Sequence, residues 1–298
     1  MLVNSEDDAM STPRPLRLGL LGGIVAALLC WSWPARAVEH VDVKLVLATD
    51  VSGSISNNEL WLERQGTAAA FLYPDVIRAI ENGALGRIAV SMMDFSSPGF
   101  GKTVIDWRII EDRQSAADFA RAILAIPRTP GNRTSVSDAL ELGARLIESS
   151  DNEIVATRKV IDIAGDGANN DGKPLGEIRR RVMAQGIVVN GLAIMDDNAN
   201  GFSPGLDRYY QACVAGGRGA FVIAVKSFRD FGAAMRRKLI LEISQDEIEF
   251  KLAEGKSSHT RLLRPIAAAR VLPAQSPALL RPGHNEYSNA CNIPDERP

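Results

Sequence analysis

The sequence predicts an α/β fold: a doubly wound, mainly parallel six-stranded sheet with one antiparallel edge strand and helices on both faces. Three observations predict it. From residue 41 to about 243, short apolar runs alternate with longer stretches of helical spacing, the pattern of strand–helix–strand crossovers. The apolar runs are nearly continuous, as strands buried on both faces require. The composition, 298 residues with 46% hydrophobic and 23% charged, supplies one sizeable core.

Residues 43–48 (Lys-flanked Val, Leu, Val, Leu, Ala) read as the first buried strand. A helix follows over 56–81, with Leu60, Phe71, Val76 and Ile80 apolar. Ser56 and Glu59 have the spacing of a capping box at its start. Residues 87–95 and 103–110 form the second and third strands, and the short link between them suits an antiparallel edge hairpin. Helices are predicted over 115–126 and 136–148, the latter with Leu140, Ala144 and Ile147 on one face. Strand 159–164, helix 174–185 with Pro174 in its first turn, strand 187–194, helix 206–214, strand 220–225 and an amphipathic helix over 228–243 complete the domain. One domain, residues 41–244, absorbs all six strands.

The ends read differently. Arg14 and Arg17 precede an apolar run from Leu18 to Trp33, which closes in Ala35-Arg36-Ala37. That order is a secretory signal peptide over residues 1–37, so the chain is expected to be exported, periplasmic or extracellular. The run is short for a membrane span, and the mature chain is expected to have none; an uncleaved N-terminal anchor is the alternative. Residues 245–298, punctuated by Pro265, Pro273, Pro277, Pro282, Pro294 and Pro298, read as a disordered tail with a short helix over 261–272 its one candidate element. Once the signal is removed, Cys213 and Cys291 remain; export permits a disulfide, but the sequence leaves their pairing open. A net charge of −2 gives no electrostatic case for nucleic acid.

In sheets of this kind, ligands bind beyond the carboxyl ends of the strands where strand order reverses. Asp50-Val51-Ser52-Gly53-Ser54 follows the first strand, Gly165-Asp166-Gly167 the fourth, and Gly131-Asn132-Arg133-Thr134-Ser135 precedes a helix. If the first and fourth strands are neighbours, the three loops converge. Two carboxylates and three hydroxyls are hard oxygen donors that suit Mg²⁺, Mn²⁺ or Ca²⁺. Gly53 is read as giving the first turn its backbone freedom.

These three elements, in order and on these strand ends, resemble the metal-ion-dependent adhesion site of the von Willebrand factor A (integrin inserted-domain) family. The resemblance implies that Asp50, Ser52 and Ser54 contact a divalent cation, with Mg²⁺ foremost. It implies that Thr134 does so directly or through water, and that Asp166 acts mainly through water. It also implies a non-enzymatic binding or adhesion module whose partner is a protein presenting Asp or Glu. Where the family often has Gly-Gly-Thr, this chain has Asn132-Arg133-Thr134, which sets a cation at the rim. More narrowly, residues 160–167 (Val-Ile-Asp-Ile-Ala-Gly-Asp-Gly) followed by Asn169-Asn170, and Tyr209-Tyr210 with Cys213 before Gly216-Gly217, resemble a bacterial family of exported A-domain proteins catalogued as DUF1194.

Enzyme chemistry finds little footing. His40, His259 and His284 all lie outside the α/β strand ends, and there is no G-x-S-x-G, G-x-x-x-x-G-K-[ST] or G-x-G-x-x-G. A metal-dependent phosphohydrolase is the enzymatic alternative, but Ser52 stands where such a site wants a second carboxylate. A metal-free structural A-domain is the other. Taken singly, Asp50, Ser52 and Ser54 read equally well as turn and cap residues. Asp94 reads as a loop or cap residue or as support behind the site, and the 165–172 loop lacks the spacing of a separate calcium loop.

Overall fold

Strands that are apolar on both faces need cover on both sides, and the sheet has it. The computed structural model describes residues 38–149, 153–195, 205–244, 270–273 and Cys291. Strands β1 (Glu39–Asp50), β2 (Ile88–Phe95), β3 (Lys102–Ile110), β4 (Ile154–Gly165), β5 (Ile187–Ile194), β6 (Phe221–Val225) and β7 (Arg270–Pro273) form one sheet in the order β3-β2-β1-β4-β5-β6-β7. The inner five strands run parallel. β3 is antiparallel to β2 at one edge and β7 antiparallel to β6 at the other. β2 is buried along its whole length, whereas β3 is exposed or half-buried at most positions, as an edge strand should be.

One face of the sheet is covered by α1 (Asn57–Leu72), α2 (Pro74–Glu81), α3 (Arg113–Leu124) and α7 (Phe231–Ile243), whose Phe71, Phe119 and Phe231 pack against β1 and β2 residues such as Leu45 and Val90. The other face carries α4 (Val136–Glu148), α5 (Leu175–Ala184) and a short helix α6 (Leu206–Tyr209) that continues as a π-turn (Tyr210–Val214). Ser56 caps α1 with the predicted box: its side chain accepts from the Glu59 amide, and the Glu59 carboxylate accepts from the Ser56 amide at 2.7 Å.

Two expectations are corrected, and one pairing that the sequence leaves open is made. The helix expected over 56–81 is two helices, because Pro74 denies the chain an amide donor and holds Tyr73 in an extended conformation (φ −68°, ψ 133°). The sheet has a seventh strand: residues 270–273, placed by sequence in a disordered tail or a short helix, pair with β6 from Phe221 to Ala224. A four-residue run is too short to show periodicity; what makes it a strand is the free edge of β6. Cys291, in the same C-terminal segment, forms a disulfide with Cys213. The rest of that segment, and the 1–37 segment read as a signal peptide, lie outside the described residues. Among the described residues, no helix is long and apolar enough to cross a membrane.

Two devices seat α7. It crosses α1 where Gly66 meets Gly232, so closely that a Cβ on Gly66 would stand 2.9 Å from the Gly232 Cα. Lower down, its fully buried Lys238 pairs with Asp162 of β4 at 2.7 Å and with Glu242 at 2.6 Å, and Asn190 of β5 donates to Glu242 at 2.7 Å. Burial pushes the Asp162 carboxyl up to about 7 against the opposing pull of Lys238.

Candidate metal centre

β1 and β4 are adjacent and parallel, with Thr49 level with Ala164, so their carboxyl ends leave the sheet side by side. The loop after β1 is stitched to the loop before α4. The Gly53 amide donates to the Asn132 carbonyl at 2.7 Å, and the Gly131 amide to the Val51 carbonyl at 2.8 Å. Gly131 has to be glycine, because a Cβ there would stand 2.1 Å from the Ser96 hydroxyl. Gly53 serves close approach rather than an unusual turn: its φ is not positive, and its Cβ would meet the Asn132 carbonyl at 3.2 Å. The loop after β4 is tied to α4's loop through Asn170, whose Oδ1 accepts from the Thr134 amide at 2.9 Å and whose amide donates to the Thr134 carbonyl at 3.0 Å.

The result brings all five sequence-selected oxygens into one cluster. Asp50 Oδ1 accepts from the Ser52 amide at 2.8 Å; the Ser52 and Ser54 hydroxyls lie 3.1 Å apart; Ser54 Oγ donates to Asp166 Oδ1 at 2.9 Å; and Thr134 Oγ1 lies 3.5 Å from Asp50 Oδ2. Asp50, Ser52, Thr134 and Asp166 are buried, while Ser54 is exposed, so the cluster opens to solvent on that side. Arg133 is exposed at the rim, its Nε 4.0 Å from Asp171 Oδ2. Burial first, and the neighbouring Asp166 second, push the Asp50 carboxyl up to about 8, although Ser52 and Thr134 hydrogen bonds favour its charge.

Behind the cluster lies a polar layer, of which the sequence suggested Asp94 but not Glu63, Arg64 or Tyr210 as support for the site. Glu63 and Arg64 of α1 are buried; Arg64 forms an ion pair with buried Asp94, and its Nη1 lies 3.5 Å from the Thr49 hydroxyl. Burial raises the Glu63 carboxyl well above the usual range. Tyr210 is fully buried, and burial, with Asp50 and Asp166 nearby, raises its hydroxyl too, keeping it protonated. One oxygen each of Glu63 and Asp94 and the Tyr210 hydroxyl have no hydrogen-bond partner. A signal for the helix residues was available: Leu60, Glu63, Arg64, Thr67 and Phe71 recur at spacings of three and four on α1's buried stripe, so polar groups were due to go inside.

These residues fit a hard divalent cation. Two carboxyls line the cluster and two more stand behind it, against one guanidinium, and a buried carboxyl pushed up by a like charge is relieved by a cation. Among the described residues no group of three or more His, Cys, Asp or Glu side chains is placed to hold a metal. The donors that the cluster offers are carboxylate and hydroxyl oxygens, which suit a hard cation.

The comparisons agree with the fold. A family model described as "Protein of unknown function (DUF1194)" matches residues 40–247. No curated protein matches the chain. Proximal thread matrix protein 1 from the mussel byssus is similar at 18% identity over 70% of this chain and 49% of that one, with a TM-score of 0.50; it has also been solved with a zinc-occupied MIDAS motif. The pilus adhesin SpaC from Lactobacillus rhamnosus GG is similar at 15% identity over 68% of this chain and 31% of that one, TM-score 0.50. A von Willebrand factor type A structure from Catenulispora acidiphila is similar at 16% identity over 68% and 43%, TM-score 0.47. The chain thus spans about half or less of the length of these structures, and likeness at such identity speaks for the fold.

Proposed function

The chain belongs to the DUF1194 family and has a von Willebrand factor A-like fold, and on that footing we propose that it is an exported binding module. In this reading Asp50, Ser52, Ser54, Thr134 and Asp166 hold a divalent cation, Mg²⁺ foremost and Mn²⁺ or Ca²⁺ also suited, and the cation binds an Asp or Glu of a protein partner. The observation that supports it most directly is the meeting of five oxygen side chains from three separated loops around a buried carboxyl. Neutral hydroxyls make up most of the donor set, so a bound cation keeps attraction for a further carboxylate from outside. The exposed Ser54 side gives that carboxylate its approach.

A phosphohydrolase finds less support. Ser52 occupies the place two residues after Asp50, and His40 stands at the opposite end of β1.

Calorimetric titration of Mg²⁺ and Mn²⁺ into the wild type and the Asp50→Ala variant tests the reading. Binding at millimolar or lower concentration in the wild type, lost in the variant, is the expected result; unchanged binding in the variant removes the proposal. A pull-down from the exported fraction, with and without chelator and with Asp166→Ala as control, then tests whether a partner is held through the metal.

A further inference from the structure

Asn169, Tyr209-Tyr210, Cys213 and Gly216-Gly217, singled out in the sequence, belong neither to a strand of the sheet nor to the five-oxygen cluster. They form one brace behind it. Asn169 Oδ1 accepts from the Ser137 amide at 2.9 Å, and the Asn169 amide donates to the Tyr209 hydroxyl at 3.2 Å. Gly216 exchanges backbone hydrogen bonds with Val189 of β5 at 2.8 and 2.9 Å, which pins the far end of the π-turn.

Between these anchors, Tyr210 lies in a slot that two glycines on adjacent strands keep open. A Cβ on Gly191 would stand 2.7 Å from the Tyr210 ring, and a Cβ on Gly165 would stand 2.9 Å from its hydroxyl oxygen. Asp50 Oδ2 lies 3.0 Å from that same Gly165 point. The tyrosine hydroxyl thus ends close to the Asp50 carboxyl, fully buried and without a direct hydrogen-bond partner. The π-turn that carries Tyr210 also carries Cys213, whose disulfide to Cys291 ties it to the C-terminal segment.

Resting on the metal-site reading above, we propose that Tyr210 is a positioning residue of the metal centre: its hydroxyl donates through one buried water to the Asp50 carboxylate, and the Cys213–Cys291 disulfide holds the turn that presents it. Outer hydrogen bonds of this kind orient a ligand and hold its charge.

The test is Mn²⁺ and Mg²⁺ calorimetry on the full exported chain as wild type, Tyr210→Phe, Cys291→Ser and the double variant, with thermal melts in chelator. Tyr210→Phe should weaken cation binding by roughly ten-fold with at most a small fall in the chelator melting temperature, because the fold loses only one neutral hydrogen bond. Cys291→Ser should weaken binding by a smaller factor, and the double variant should bind as Tyr210→Phe does, since both changes act through one side chain. Wild-type affinity in Tyr210→Phe overturns the proposal. Losses that multiply in the double variant overturn the disulfide's share in it. A wild type that binds no cation sinks the metal reading itself, and this proposal with it.

Discussion

Neutralising Asp50 should stabilise the metal-free protein, by an amount that depends on pH. In the fold the carboxyl is pushed from its ordinary 3.8 to about 8, by burial first and by Asp166 second. An unfolded chain leaves it ionised from about pH 4 upward. Between those values the folded state holds a proton that the unfolded state has lost, so stability falls as pH rises through the window and levels off above 8. At about 1.4 kcal/mol per unit, this one group removes roughly 4 kcal/mol from the wild type at pH 7, relative to pH 4. Asn at position 50 has nearly the same shape, can still accept from the Ser52 amide, and carries no charge to bury. Urea denaturation in chelator should therefore show Asp50→Asn more stable than the wild type, with a gap that widens from pH 5 to 8. Divalent cation at a hundred times its Kd should return about 2.7 kcal/mol to the wild type and nothing to the variant. Equal stability of the two proteins in chelator at pH 8, or a gap that narrows as pH rises, would refute the reasoning.

Other outcomes follow from the same geometry. Lys238→Met leaves Asp162 and Glu242 facing each other in the core and should lower the unfolding free energy by about 3–5 kcal/mol, read by urea denaturation at neutral pH. Cys291→Ser opens a loop of 78 residues and should cost about 2–4 kcal/mol, seen as a lower melting temperature that reducing agent does not lower further. Ser56→Ala removes the helix cap and should cost about 1 kcal/mol, with cation affinity unchanged by calorimetry.

Much of this molecule is legible in its sequence because its information is local. Buried parallel strands announce themselves as unbroken apolar runs, and the D-x-S-x-S turn, Thr134 and Asp166 each sit just past or just before a regular element. The strand order was expected only on the condition that the first and fourth strands are neighbours, and β1 beside β4 meets it. What escaped is what depends on a partner distant in the chain. β7 is a strand only because β6 has an open edge, and Cys291 finds Cys213 across 78 residues. Tyr210 looks like an ordinary core aromatic until Gly165 and Gly191, on two other elements, are seen to clear its path. The break at Pro74 was in plain view, but a helical period that runs on through Val76 and Ile80 concealed it.

The seating of α7 has a mechanical consequence. A helix resting on aliphatic side chains can creep by fractions of an ångström, since dispersion contacts are many and individually shallow. This one rests on an ammonium wedged between carboxylates in a dry interior, with two glycines engaged like a notch at its upper end. Any slide along its axis must pull Lys238 off Asp162 and lift Gly232 out of register with Gly66 together. By this geometry the helix is expected to act as a detent, fully home or fully released, and not to slide by degrees.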